Sequence, residues 1–205
     1  MTVQPGLPNY KDLSALPDLV ARAVRGARAA GYEKACLPEV GLLLRLLAAA
    51  RRDIRIGESG TACGVGAAWL ASAMDASSTL VTVELDPERA RVAARLMEQT
   101  SRVSVLEGDW ALLQAHGPFD LLFVDGGPAK TECDVILSLL APRGLLVFDD
   151  LTPPERWTPE QRRTYVAGDP IRNAWRDRPG CAVTELRVTE YAAVLLVAKL
   201  QERPS

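Results

Sequence analysis

Apolar positions follow two rhythms along this chain. Over 18–30 ("DLVARAVRGARAA") Leu19, Val20, Ala23, Val24 and Ala27 fall on one helical face, with Arg22, Arg25 and Arg28 on the other. Gly31 ends that helix. A second is predicted over 38–50, with Pro38 in the first turn, where a missing N–H costs nothing. From residue 53 the pattern changes. Short continuous apolar runs at 53–58, 78–84, 103–107, 119–125 and 144–150 read as strands, and helical segments lie between them at 64–74, 87–99, 110–115 and 131–140. Asp86 is the predicted N-cap of the 87–99 helix, with Pro87 at its first position. Strands that are apolar on both faces and alternate with helices predict an α/β fold, a doubly wound and mostly parallel sheet with helices on both faces. The C-terminal end breaks the alternation. "CAVTELRV" and "YAAVLLVAKL" flank Thr189-Glu190, which predicts two strands joined by a tight turn and an antiparallel hairpin ending the sheet.

Composition narrows the class. With 205 residues, 48% of them hydrophobic and 24% charged, the chain fills one core. We expect a single domain over 1–205: an N-terminal helical cap (1–50), a core (53–150), a loop and helix (151–178) and the terminal hairpin (181–200). Cys36, Cys63, Cys133 and Cys181 are scattered without a C-x-x-C pair, so reduced thiols and a cytoplasmic location are expected rather than a disulfide framework or structural zinc. No run approaches the roughly 20 apolar residues of a membrane span, and no leader pattern is expected at the N-terminus. A net charge of −2 without a basic block gives nucleic acid no electrostatic encouragement. The lone histidine, His116, falls in "QAHGPFD", a predicted surface loop, which leaves Ser-His and His-metal chemistry without support.

Candidate chemistry starts at "IRIGESGTACGVGAAWLA" (54–71). Doubly wound sheets bind ligands beyond the carboxyl ends of their strands, and Gly60, Gly64 and Gly66 let the backbone turn sharply there and come close to a ligand. Glu84 ends the next strand, where a carboxylate can accept both hydroxyls of a ribose. Together these predict an adenosine-containing ligand; the plainer reading is that the glycines only make a turn. A dinucleotide site needs G-x-G-x-x-G, but the only G-x-G (64–66) is followed three places on by Trp69, which argues against NAD. The alternative pattern, E-x-G-x-x-x-G-x-G, begins at Glu58. An acidic strand end suits the ammonium and sulfonium of S-adenosylmethionine better than a pyrophosphate.

"ESGTACGVG", "VTVELDPERARVA", "VSVLEGDW", "FDLLFVDG" and "GLLVFDDL" resemble, in order and spacing, the Rossmann-like class I S-adenosylmethionine-dependent methyltransferases, above all the small cation-dependent O-methyltransferases of the catechol and caffeoyl-CoA type. The resemblance covers about 34–150 motif by motif and extends through the terminal hairpin. It implies that Glu58, Gly60 and Thr61 sit against the methionine half of the cofactor, with Gly64 and Gly66 in the same glycine turn. Leu37 opens the helix that closes over that half. Glu84 would hold the ribose, while Asp109 and Trp110 would border the adenine; Asp109 can also cap the short helix that follows it. Family members commonly pair, so a homodimer is expected, with the amphipathic N-terminal helix offering an apolar face.

Asp125, Asp149 and Asp150 end two strands on one edge of the sheet, so their carboxylates can converge. Such a set suits Mg²⁺ or another hard divalent cation, which would hold two adjacent oxygens of a catechol-like acceptor and lower the pKa of the attacking hydroxyl. The plainer reading is that these aspartates cap loops. Departures from the family are specific. Asp149-Asp150 stands where the family has Asp-Asn, and Pro128 replaces the lysine three residues after the first metal aspartate, leaving Lys130 as the candidate base beside Asp125. "LTPPERWTPEQRRTYVAGDP" (151–170) replaces the usual substrate loop. Three functions follow: an O-methyltransferase acting on a small-molecule hydroxyl, with or without cation assistance; a cofactor-binding protein of the same fold without metal-dependent transfer; and, third, a nucleotide-dependent oxidoreductase.

Overall fold

The computed structural model describes residues 6–125 and 128–200. Within these residues, seven strands form one sheet: β1 (Arg55–Ser59), β2 (Thr79–Glu84), β3 (Val103–Glu107), β4 (Phe119–Val124), β5 (Leu140–Leu151), β6 (Cys181–Arg187) and β7 (Ala193–Lys199). Their order is β3-β2-β1-β4-β5-β7-β6, with β1 to β5 mutually parallel and β7 antiparallel to both of its neighbours. The helices are α1 (Asp18–Ala29), α2 (Pro38–Ala49), α3 (Val65–Ala71), α4 (Pro87–Met97), α5 (Cys133–Ser138), α6 (Pro159–Thr164) and α7 (Pro170–Arg176). No helix among the described residues is long and apolar enough to cross a membrane.

Two apolar clusters cover the sheet. One gathers Val24, Val40, Leu44, Trp69 and Ile56 from α1, α2, α3 and β1; the other gathers Leu113, Leu122, Ile136, Phe148 and Trp175. The Trp69 indole donates to the Tyr10 hydroxyl at 2.9 Å, so it fills the core rather than a nucleotide site. Asp86 caps α4 as predicted, accepting from the backbone N–H of Glu88 and Arg89. Because the chain builds outward from β1 to β3 and then returns to add β4 on the opposite side of β1, the topological switch lies between β1 and β4.

Several boundaries differ from the sequence expectation. The segment at 110–115 is a 3-10 helix, and the 131–140 helix shortens to Cys133–Ser138 behind a 3-10 turn at Pro128–Thr131. The last parallel strand begins earlier than 144, because Leu140 already pairs with Phe119 across an irregular register. The hairpin turn is not a two-residue one. Arg187 pairs with Ala193, and the N–H groups of Val188 and Thr189 both donate to the Ala192 carbonyl, so residues 188–192 make a wider loop. The apolar face of α1 (Val20, Ala23, Val24, Ala27) is buried in the chain's own core and offers no pairing surface; exposed apolar side chains lie instead on α2, at Leu42 and Leu46.

Candidate active site

At the switch point, a cleft of about 320 Å³ opens beyond the carboxyl ends of β1, β2 and β4. That volume is within the range of small-molecule sites. Glu84 and Arg89 line one part, Asp109 and Trp110 border it, Gly60 forms its floor, and Asp125 and Asp150 face it from the other side. The sequence-predicted residues therefore converge from five segments that are distant in the chain.

The floor needs glycine. Gly60 has φ +93°, and a Cβ there would lie 2.1 Å from the Asp125 carbonyl oxygen, so a side chain would push β1 and β4 apart. Gly66 opens α3 against a carboxylate: its Cβ would meet Glu58 Oε1 at 2.4 Å. Gly64 is the left-handed residue before α3, and Leu37 is buried as the residue preceding α2; neither lines the cleft.

Glu58 lies beside Thr82 in the register of β1 and β2 and is fully buried. Its Oε2 accepts from the Thr82 hydroxyl, which is itself bonded to Thr61. Oε1 has no partner. Burial pushes this carboxyl up to about 8. Behind the cleft, a small hollow of about 10 Å³ is lined by Tyr32, Cys36, Glu58, Thr61, Gly66 and Asp125. A buried acceptor without a donor calls for one, and a ligand ammonium is its chemical complement.

Glu84 is held firmly. Oε1 accepts from Asp86 N at 2.9 Å and from Arg89 Nη2 and Nε at 2.8 and 3.1 Å; Oε2 accepts from Ala62 N at 2.7 Å. The Arg89 guanidinium also lies 5.3 Å from the centre of the Tyr32 ring. Sequence reasoning missed Arg89 and Tyr32. The available signal for Arg89 was its place in the first turn of the helix that follows Glu84. Asp109 caps its 3-10 helix through Ala111 N at 2.9 Å while also lining the cleft, so its two readings coexist.

The three other aspartates meet because of a β-bulge. Phe148 pairs with Leu195 and Leu151 with Ala193, so two residues, Asp149 and Asp150, stand opposite the single Val194. Asp150 takes φ +64°, a left-handed conformation that aspartate and asparagine tolerate better than most residues. With Asp125 at the end of β4, the three carboxylates bring ligand atoms within 4.8 Å of one another. Burial, then Asp150 and Asp149, hold Asp125 well above the ordinary carboxylate range, and burial with Asp150 raises Asp149 to about 7. The donor set, three hard oxygens, fits a divalent cation. Lys130 does reach this group: its Nζ donates to the Asp149 carbonyl at 2.6 Å and lies 3.7 Å from Asp150 Oδ2.

Beside Asp150, the 151–170 segment closes a smaller pocket with Trp157, Gln161 and Tyr165. Arg172 anchors it from α7, bonding the Thr152 carbonyl, Asp169 and Glu185. Ion pairs Arg156–Glu190 and Arg187–Glu155 tie its start to the hairpin loop and to the end of β6.

Comparison with known proteins agrees with this geometry. Residues 58–151 match the family model described as a methyltransferase domain. A protein of Mycobacterium ulcerans (strain Agy99) is 31% identical over 160 residues, covering 74% of this chain and 66% of its own length. A catechol O-methyltransferase of Niastella koreensis is 33% identical over 125 residues, covering 56% of this chain and 57% of its own. The chain thus spans between half and two thirds of the length of these curated relatives. Among solved structures, the O-methyltransferase TomG of Streptomyces achromogenes, in complex with S-adenosylmethionine, superimposes with TM-score 0.73 at 23% identity, over 98% of this chain and 100% of that one.

Proposed function

We propose that this chain, which belongs to the class I S-adenosylmethionine-dependent methyltransferases, transfers the methyl group of that cofactor to a hydroxyl of a small molecule, in one domain spanning 1–205. The observation that carries the reading is the shared cleft: the ribose-type carboxylate Glu84 and the acidic group of Asp125 and Asp150 face one cavity. In this reading Glu84 and the Asp109–Trp110 corner hold the adenosine. Glu58, with its unpartnered Oε1, and Gly60 receive the methionine half. Asp125 and Asp150, which line the same cleft, would then border the side on which transfer takes place. The segment 151–170 forms the acceptor pocket, and Trp157 and Tyr165 supply apolar walls beside Asp150.

Methyl transfer from a sulfonium needs alignment and a deprotonated nucleophile. Asp125, Asp149 and Asp150 would hold a divalent cation, which when bound lowers the pKa of a coordinated hydroxyl. The Lys130 ammonium, fixed beside Asp150, favours negative charge on an oxygen placed next to it. Lys130 and Asp125 are the residues assigned to the chemistry. A cytoplasmic location and a homodimer complete the proposal, the latter supported by the exposed Leu42 and Leu46 on α2.

Calorimetric titration with S-adenosylmethionine and with NAD, followed by turnover to S-adenosylhomocysteine on a panel of phenols and vicinal diols, tests the reading. Binding of the first ligand alone, with product formed, is expected. Binding of NAD in its place would replace methyl transfer with a redox function, and cofactor binding without turnover on any acceptor would leave a binding protein.

A further inference from the structure

Lys130 is the one lysine among the described residues that is buried, only 2% exposed. Its backbone is pinned from outside the sheet: the Trp175 indole donates to the Lys130 carbonyl at 3.2 Å, and Ala129 beside it is fully buried. The side chain runs inward to the bulge of β5, where Nζ meets the Asp149 carbonyl and Asp150 Oδ2. A buried ammonium is costly unless opposite charge and hydrogen bonds compensate it, and three carboxylates gathered within 4.8 Å of one another repel when ionised, unless a cation lies among them or they take up protons. Each of these burdens is the remedy for the other. Among the described residues, Lys130 is the only cation recorded in an ion pair with any member of the cluster.

We propose that Lys130 is a tethered counter-cation of the Asp125–Asp149–Asp150 cluster, which keeps the carboxylates together when no divalent ion is bound and sets how tightly one binds. The first half stands on the geometry alone. The second rests on the cation reading made under Proposed function. A tethered ammonium weakens the field that a divalent ion would feel, and it lies beside Asp150 Oδ2, one of the oxygens that would hold the ion. The chain therefore carries part of the site's positive charge as a side chain rather than drawing all of it from solution.

Two measurements test this. The first is a thermal-unfolding cycle without metal on wild type, Lys130→Met, Asp150→Asn and the double variant. Asparagine tolerates the left-handed conformation at 150. Lys130→Met is expected to lower the melting temperature, and Asp150→Asn to recover part of the loss in that background while giving no gain in the wild type. Lys130→Gln, which can donate a hydrogen bond but carries no charge, keeps the cycle readable if the methionine variant does not fold, and is expected to behave alike. Additive effects of the two substitutions would overturn the proposal and reduce Lys130 to a donor for the Asp149 carbonyl. The second is calorimetric titration with Mn²⁺, expected to show about tenfold tighter binding in Lys130→Met or Lys130→Gln than in wild type. Equal affinity would overturn the second half. Absence of Mn²⁺ binding in every variant would remove both that half and the cation reading of the site, while a coupled cycle would still uphold the counter-cation.

Discussion

Arg89 grips Glu84 with two hydrogen bonds to the same oxygen, Nη2 at 2.8 Å and Nε at 3.1 Å from Oε1. Asp86 N also donates to that oxygen, which leaves Oε2, bonded once by Ala62 N, as the side of the carboxylate open to a ligand. Glu84 thus reaches the cleft already fixed by protein donors. In the proposed reading, a carboxylate fixed in this way would meet ribose hydroxyls without rearranging.

If Glu84 is the ribose acceptor proposed above, replacing it by alanine removes that acceptor, leaves the Arg89 guanidinium without its carboxylate and frees Ala62, which is held at φ +47°. We expect a loss of about 2–3 kcal/mol in S-adenosylmethionine affinity. Calorimetry showing unchanged affinity would remove Glu84 from the cofactor site.

Arg89→Ala should act through Glu84. The cofactor KM is expected to rise about tenfold with kcat little changed, because the guanidinium orients the acceptor and does not face the acidic end. Arg89→Lys should recover little of the loss, since an ammonium cannot reproduce the two-point grip. A fall in kcat at constant KM would place Arg89 in the chemistry instead.

Glu58 predicts a pH dependence of folding. Its carboxyl, at about 8 when folded, lies above its unfolded value of 4.5, so the folded state binds the extra proton between these values. Stability from this group is therefore full below pH 4.5, falls as pH rises toward 8 and is level above it. The slope is at most about 1.4 kcal/mol per pH unit. Glu58→Gln cannot ionise and should gain on the wild type steadily across that window. Urea midpoints measured in pairs at each pH check this; parallel curves would contradict it.

Much of this site was legible in the sequence, and the omissions have physical reasons. The glycine turn after β1, the acidic end of β2 and the Asp86 cap are local features, written in adjacent residues. Convergence of Asp125 with Asp149 and Asp150 followed from parallel strands sharing an edge. The bulge that aims both β5 carboxylates was not legible, because it depends on register with β7, more than forty residues later in the chain. Nor was the burial of Lys130, which depends on the indole of Trp175 holding its backbone from α7. The wide hairpin loop at 188–192 hid behind a polar Thr-Glu pair that fits a tight turn equally well. The apolar face of α1 was visible, but a periodic pattern does not say which surface covers it.

The exposed Leu42 and Leu46 lie one turn apart on α2. Light scattering at micromolar concentration should give twice the chain mass of 22.2 kDa, and Leu46→Glu should halve it. A monomer in the wild type would end the homodimer reading.

Asp149→Ala should abolish Mn²⁺ binding in calorimetry while leaving S-adenosylmethionine affinity nearly intact, because Asp149 does not line the main cleft. A chelator should likewise stop turnover on a vicinal diol, and Mg²⁺ should restore it. Turnover that is equally fast in chelator would make the aspartates structural.

In the proposed reaction a methyl group passes from sulfur to an acceptor oxygen in this cleft. The most direct measurement follows that group: S-adenosylmethionine carrying a ¹³C methyl is incubated with the protein, Mg²⁺ and a catechol, and the label is traced by NMR. We predict an aryl O–¹³CH₃ signal growing in step with S-adenosylhomocysteine, and none with Glu84→Ala at limiting cofactor. A label that stays on sulfur across hydroxyl acceptors, with the cofactor bound, would contradict the account.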